Sequence, residues 1–586
     1  MTLFLRSDPK RLLAMAALLA LAWDAVPVFA QSPPEALARQ RADYEAVAPK
    51  TVLDLQPFRE TRSVSLPDGA GSLVLVSLNP AIGAWYLLQK VDAKGTPLQS
   101  YHIEIPVPDD MSLSLNNQGH ALVLAGPEGA VSCNFGLAEL EAARRTGLPY
   151  APVCGGAAFL RVKSTGARTS LEATAEFLRD NIWGGETIVG FVRGTFFKDS
   201  ELEVSPVEAG NGGSVNPVGP PPMLIEAPED QRPVIGTLLD IAVTGAENGR
   251  MAVGAWYPVT GLHGVFASAF QPGAIARSVL SGPGKVNRLD AVEANATGYM
   301  VAFDLSAFDI GFALGTDHPG VGWSPRPSAS ARPRGLPGPD GISSTAPLVR
   351  LGMVNPVAAN RTIATFTGGF KRQHGAFKFG EMATYNMGHH YGFIENGVIF
   401  SKLQPDLSTI IVLNDGTVHM KTWQEADNAL LPLIRFARQN GVPLVEFDAA
   451  TGQGVPGNLV TQWGGGNWSG SADAQLRTLR AGGCLVETGQ TQYLLYGYFS
   501  TATPSAMTRT FQAYGCRYAM LLDMNALEHT YLGLYVPRGG KIHVAHIVPG
   551  MGLIDKKMPG GKVLPRFIGY PDNRDLFYVM KKEAVK

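Results

Sequence analysis

Residues 478–525 read TLRAGGCLVETGQTQYLLYGYFSTATPSAMTRTFQAYGCRYAMLLDMN, and their local signals decide the expected fold. Cys484–Glu487 and Thr491–Phe499 are apolar, β-favouring runs around Thr488-Gly489-Gln490, which is the pattern of a hairpin. Thr503 is placed to cap a helix whose first residue is Pro504. Met507, Phe511 and Tyr514 give that helix one apolar face, and Gly515 ends it. A second apolar run, Tyr518–Leu522, then closes on Asp523. Strand, helix and strand joined by short connections predict a parallel pair with a right-handed crossover. The expected class is α+β: a mixed sheet with packed helices, preceded by a smaller α+β unit.

Working outward, a second helix is predicted near Asp427–Gln439, with Leu430, Leu431, Ile434 and Ala437 inward, Pro432 in its first turn and Gly441 as cap. Val442–Phe447 reads as a strand ending on Asp448. Further strands are expected at Gly264–Phe270, Gly298–Leu305 and Thr362–Phe366. The Gly- and Pro-rich stretch 208–232 reads as a linker, so residues 233–586 form the C-terminal domain, with 323–345 as a long internal loop. Upstream, 66–207 is an N-terminal unit of unknown role. Its strands are expected at Ser72–Ser77, Trp85–Val91, His102–Ile105 and His120–Ala125. Thr169 and Glu172 form a capping box for a helix that buries Leu171, Ala175, Leu178 and Ile182 before Gly184.

Residues 31–65 read as a polar tail, and 1–30 as a secretory signal. Arg6, Lys10 and Arg11 precede an apolar run from Leu12 to Trp23, and Val28 and Ala30 precede the cleavage point. That run is shorter than the ~20 residues a bilayer span needs, and no later stretch is long and apolar enough. The chain is therefore expected to be exported, periplasmic or extracellular, without a stable membrane span once mature. A net charge of −1 gives no global field for nucleic acid. The four cysteines fall into two local pairs, Cys133 with Cys154 and Cys484 with Cys516. In an oxidising compartment they read as two disulfides, the alternative being four buried thiols.

Four groups of residues carry potential chemistry. Asp523, delivered by an apolar strand, stands beside Asn525, Glu528 and His529. Strand ends are where open α/β sheets place ligands, although an aspartate there equally serves as a turn cap. Thr367-Gly368-Gly369-Phe370-Lys371-Arg372-Gln373-His374 follows a strand, and its glycines permit close backbone approach to an anion. Arg480, with Arg477 as its rival, is a guanidinium suited to phosphate or to ordinary surface solvation. His389 and His390 are adjacent, so on a strand only one of them faces a site. Asp448 is a weaker strand-end carboxylate. No nucleophile elbow, Walker loop or zincin helix is present.

In order, TFTGGFK (365–371), Asn396-Gly397, Asp415-Gly416, RQNGVPLVE (438–446), Gln462-Trp463-Gly464, Arg480, LLYGYF and AMLLDMN resemble the phosphodiester glycosidase family over about residues 235–535. Two departures stand out: Thr367 where family members usually carry Asn, and Asp523-Met524-Asn525 where many carry Asp-Gly-Gly-Gly-Ser. The resemblance implies a hydrolase that cleaves a glycosyl-1-phosphate ester in envelope or extracellular glycans. Asp523 would be base or nucleophile. Thr367, the Gly368 and Gly369 amides, Arg480 and Asn525 would bind substrate, and His374 or His529 would move a proton. No cofactor is implied, although a metal at His389, His390 or His529 stays open. The competing class is a non-catalytic envelope protein that binds glycans or sugar phosphodiesters on the same fold.

Overall fold

The computed structural model describes residues 60–583 apart from 81, 117–120, 127–132, 171, 175–198, 209–218, 229–230, 247, 325–326, 333, 336–337, 341–344, 372–389 and 463–476. The expected signal sequence, the tail before residue 60 and most of the helix after Glu172 lie outside the described residues. Among the described residues strand outweighs helix, 41% against 14%, in seven antiparallel sheets. The expected α+β class is therefore corrected to a β-rich fold. Most apolar runs are short and bounded by turn residues, so they satisfy their backbone groups in ladders rather than in helices.

The opening stretch shows where the reading held and where it failed. Thr478–Thr488 and Thr491–Ala502 form the hairpin, with Thr488 opposite Thr491 and Gly489 at φ 59° in the turn. The helix spans Pro504–Ala513, and the Thr503 hydroxyl accepts from Ala506 N at 3.2 Å. The following strand, Tyr518–Met524, does not pair with Thr491–Ala502. It pairs antiparallel with the other side of Thr478–Thr488, so the helix carries the chain over one intervening strand. The expected parallel pair becomes two like-directed strands separated by an antiparallel one. The Cys484–Cys516 disulfide ties the central strand to the turn after the helix, and Cys133–Cys154 brackets the N-terminal helix Leu137–Arg145.

These three strands are the centre of an eight-stranded sheet, ordered Tyr257–Pro258, Val265–Phe270, Gly298–Asp304, Thr491–Ala502, Thr478–Thr488, Tyr518–Met524, Pro443–Asp448 and Gln453–Pro456. Against it lies a five-stranded sheet in the order Phe308–Ala313, Leu576–Lys581, Thr362–Thr367, Leu532–Arg538, Lys541–His546. A further five-stranded sheet contains Ile434–Gln439 as its central strand, between Phe393–Glu395 and Ser408–Leu413. The helix expected over Asp427–Gln439 is thus overturned. Glu425–Leu433 is a 3-10 segment containing Pro432, and a strand follows it at once. Proline removes a helical donor, and two flanking strands offer Ile434–Gln439 a complete set of ladder partners.

Phe366 joins the layers, with its ring 5.3 Å from Tyr496 of the eight-stranded sheet and 5.4 Å from Phe577 of its own. Phe312 continues the contact to Phe577 and Phe393. Phe366→Ala is expected to cost about 3–5 kcal/mol, the usual range for removing a buried aromatic. Chemical denaturation would show this as a lower midpoint, and a midpoint equal to wild type would mean the two sheets do not depend on this ring.

The N-terminal unit is also β-rich. It has a six-stranded sheet containing Ser72–Ser77, Trp85–Val91 and Pro97–Glu104, and a three-stranded sheet. Trp85 meets Phe400 of the C-terminal unit at 5.8 Å. Parts of the stretches first read as linker and loop are held in place. Leu224 N donates to Ala513 O at 2.7 Å, Ser324 N to His390 Nε2 at 2.9 Å, and Asp340 accepts from Ser401 Oγ at 3.1 Å. Among the described residues, no helix is long and apolar enough to cross a membrane.

Candidate functional site

Tyr518–Met524 is buried along its whole length and delivers Asp523 to the interior, 4% exposed. One Asp523 oxygen accepts from the Met524 amide at 2.8 Å. The other accepts from Arg574 Nη1 at 2.6 Å. Arg574 stands just ahead of the strand Leu576–Lys581, and its backbone is braced by Asp572, which accepts from Arg574 N at 2.9 Å. Arg566 grips that same Asp572 with two nitrogens, at 2.8 and 2.9 Å. The Arg574 backbone is therefore anchored on a buried Arg566–Asp572 ion pair, from which its guanidinium reaches Asp523.

The second hand of Arg574 holds another carboxylate. Its Nη2 donates to Glu172 Oε1 at 2.8 Å, and Asn573 Nδ2 donates to the same oxygen at 3.2 Å. Lys371 Nζ lies 3.7 Å away. The Thr169 cap exists, since its hydroxyl accepts from Glu172 N at 3.1 Å. The Glu172 side chain, however, is turned into this cluster. Thr169 also donates to Glu528 Oε1 at 3.0 Å, which ties the loop after Asp523 to the N-terminal unit. His529 completes the group, with Nδ1 2.8 Å from Met524 O. A carbonyl partner makes Nδ1 a nitrogen that carries a proton.

The environment drives the two carboxylates apart. Burial raises the Asp523 pKa to about 6, the largest effect, and Arg574 only partly opposes it. Burial also pushes Glu172 upward, but Arg574, His529 and Lys371 together outweigh it and hold that carboxyl well below the usual range. Lys371 is brought down to about 8 by burial and by Arg574, against the pull of Glu172. One carboxylate that stays ionised beside one that exchanges a proton near neutrality is the pattern of an acid–base site.

A second network sits behind the first and joins three distant segments. Asn440 Oδ1 accepts from Phe370 N at 3.0 Å, while its Nδ2 donates to the carbonyls of Leu521 and Leu522. Arg438 pairs with Asp575 at 2.7 Å and donates to Phe370 O and Asn440 Oδ1. His318 Nδ1 reaches the other Asp575 oxygen at 2.6 Å. Burial raises Asp575, yet Arg438 and His318 outweigh it and leave the carboxyl strongly acidic. TFTGGFK, RQNGVPLVE and AMLLDMN thus meet in space.

The other expected site residues fall in different places. Gly368 N donates to Asp575 O at 2.9 Å, and a Cβ on Gly368 would lie 2.6 Å from the Asp575 carboxylate. Gly369 has φ 119°, and a Cβ there would lie 3.0 Å from Arg438 and Asn440. The two glycines therefore admit the protein's own side chains closely, and the Gly368 amide is taken by Asp575 O, unlike that of Gly369. Its N–H has no acceptor among the described residues. Thr367 is buried and donates to Glu528 O at 3.4 Å. Asn525 adopts φ 78° and accepts from Thr478 Oγ1 at 3.0 Å.

Arg480 is fully buried, with Nε donating to Ala502 O at 2.8 Å and Nη1 3.3 Å from the Met524 sulfur. Glu293 is a carboxylate that acts on it, and the cation bonded to Asp523 is Arg574. Arg477 pairs with Asp199 and Asp290. Asp448 is a turn cap, accepting from Ala450 N and Thr451 Oγ1. His374 and His389 lie outside the described residues. Among the described residues, no group of three His, Cys, Asp or Glu side chains is arranged to hold a metal. Two central residues escaped the sequence reading. Glu172 carried a sufficient local explanation as a cap, and Arg574 sits in the polar run Asp572-Asn573-Arg574-Asp575, whose only signal is dense charge directly before an apolar strand.

No protein-family model matches the chain, and no curated protein matches it either. Among solved structures, a "Putative exported protein" from Burkholderia pseudomallei K96243 is similar at 10% identity, covering 48% of this chain and 73% of that one, with a TM-score of 0.20.

Proposed function

We propose that the chain is an exported hydrolase that cleaves a glycosyl phosphodiester at Asp523. The observation that carries this reading is the placement of Asp523 at a buried strand end, poised near pH 6, with Arg574 against it and Lys371 in the same charge cluster. The convergence of the three family-like segments on Asn440 and Arg438 supports it, and the two disulfides suit an oxidising compartment.

In this mechanism Asp523 takes a proton from water as the water oxygen attacks the sugar C1. The C1–O bond breaks and the phosphomonoester departs with the electron pair. Phosphate is a good leaving group, so the demand on a general acid is small, and Lys371 supplies the charge that steadies it.

Incubating the protein with a panel of glycosyl-1-phosphodiesters of glucose, galactose, mannose and N-acetylglucosamine tests the reading. Release of free sugar and phosphomonoester is expected from at least one, with kcat/KM falling on the acid side below about pH 6 as Asp523 becomes protonated. The competing reading, binding without turnover, has one observation behind it: Asp523, Glu172, Lys371, His529 and Arg574 are all less than a tenth exposed. Saturable binding of these esters with no product would establish that reading and overturn ours.

A further inference from the structure

We infer that Glu172, carried by the N-terminal unit, is a positioning residue of the Asp523 site: it shares Arg574 with Asp523 and thereby sets the pH at which Asp523 exchanges its proton. This rests on the reading of Asp523 as the acid–base group and gives the N-terminal unit a part in the chemistry.

The argument begins with the fork of Arg574. A single guanidinium spreads one charge over its nitrogens. Here one terminal nitrogen holds Asp523 at 2.6 Å and the other holds Glu172 at 2.8 Å. If Arg574 served Asp523 alone, the aspartate would be a buried ion pair locked in its charged form, of little use as a base at neutral pH. Glu172 claims part of that charge and adds a negative charge of its own nearby. Both effects favour the protonated form of Asp523.

The remaining neighbours do not reproduce this effect. Arg438 and Lys371 act on Asp523 as further cations, and Tyr496 faces it as a neutral phenol. Glu528 acts on Arg574, while His529 and Lys371 act on Glu172. Arg168, beside Lys371, is paired with Asp317 at 2.5 Å. Glu172 is the carboxylate that bonds directly to the cation Asp523 depends on.

The way Glu172 is held fits this role better than that of a helix cap. Thr169 already accepts from Glu172 N, and Asn573 and Arg574 fix the Glu172 carboxylate, so its position is set from both units of the fold. An isolated parallel bridge between Ala167 and Asp572, with Asn573 N donating to Ala167 O at 3.1 Å, locks the segment just before it.

The test is the pH profile of the full chain and its Glu172→Gln variant on whichever glycosyl phosphodiester turns over. Glutamine keeps the shape and the acceptor for Arg574 but removes the negative charge. The acid limb of kcat/KM is expected to move down by roughly one pH unit or more, since Arg574 then bears on Asp523 alone. Glu172→Asp should keep the limb near its wild-type position. A Glu172→Gln enzyme that loses activity with its acid limb unmoved would reduce Glu172 to a structural contact and overturn the inference. If Glu172→Gln does not fold, Glu172→Ala takes its place: an acid limb moved down supports the inference, and a limb at its wild-type position opposes it. Failure of the Asp523 reading looks different, because the wild-type enzyme would then show no acid limb near pH 6 or no turnover of any ester.

Discussion

Asp523→Asn is expected to lower turnover of a glycosyl phosphodiester by about 10²–10⁴-fold, the range that general acid–base groups contribute. Asparagine nearly matches the carboxylate in shape, and its Oδ1 still accepts from Arg574 or the Met524 amide. The ability to take up a proton is lost. Folding should change little, because two effects oppose each other. Arg574 loses one ionic partner, while the cost of burying a charged carboxylate disappears. The sign follows from the raised pKa of about 6: the contribution of Asp523 to stability is present below its unfolded pKa and fades as pH rises through 6. Circular dichroism and a denaturation midpoint close to wild type, together with a collapsed kcat, are the expected pair of results. Full activity in the folded variant would remove Asp523 from the mechanism.

The second large effect belongs to the network behind the site. Arg438→Met is expected to destabilise the chain by about 3–5 kcal/mol, because the buried Asp575 carboxylate loses its guanidinium partner and keeps His318. Arg438 has more than that one partner: it also serves Phe370 O, Gln439 O and Asn440 Oδ1. Adding Asp575→Asn to Arg438→Met should recover part of the loss, since the carboxylate charge is then gone. The pH dependence has the opposite sign to that of Asp523. The pKa of Asp575 is depressed, so its stabilisation is complete above the unfolded value of about 3.9 and is lost as pH falls below it. The wild-type midpoint should therefore drop on acidification through that window, and the double variant should follow it less. An Arg438→Met midpoint within about 1 kcal/mol of wild type would contradict a dependence on this pair.

What could be seen in the sequence was local. The hairpin turn at Gly489, the Thr503 cap and the stop at Gly515 are decided by residues within a few positions, and each is present where the pattern puts it. Strand order is not local. Nothing in residues 491–524 states that Thr478–Thr488 will take the place between the two like-directed strands, because that choice depends on which edges the other sheets leave open. Ile434–Gln439 failed for the same reason: its apolar spacing suits either a helix face or a strand, and two partner strands decided it. At the site, Asp523 was legible as a strand-end carboxylate. Arg574 was not, because a charged residue near a strand start is usually solvated and here becomes buried only when sheets far apart in sequence come together. Glu172 was hidden by its own adequate local explanation.

The last of the described strands, Leu576–Lys581, is the inner strand between Phe308–Ala313 and Thr362–Thr367, and the residues leading into it include Arg574 and Asp575. A ribosome makes Glu172 and Asp523 before it makes their common cation, Arg574. Until this strand arrives, its two neighbours each carry an open edge, Asp523 lacks its guanidinium, and Arg438 lacks its aspartate. The long sequence separations also make such pairing slow. Assembly of the site thus waits for the segment that carries Arg574 and Asp575, whichever of the other elements forms first.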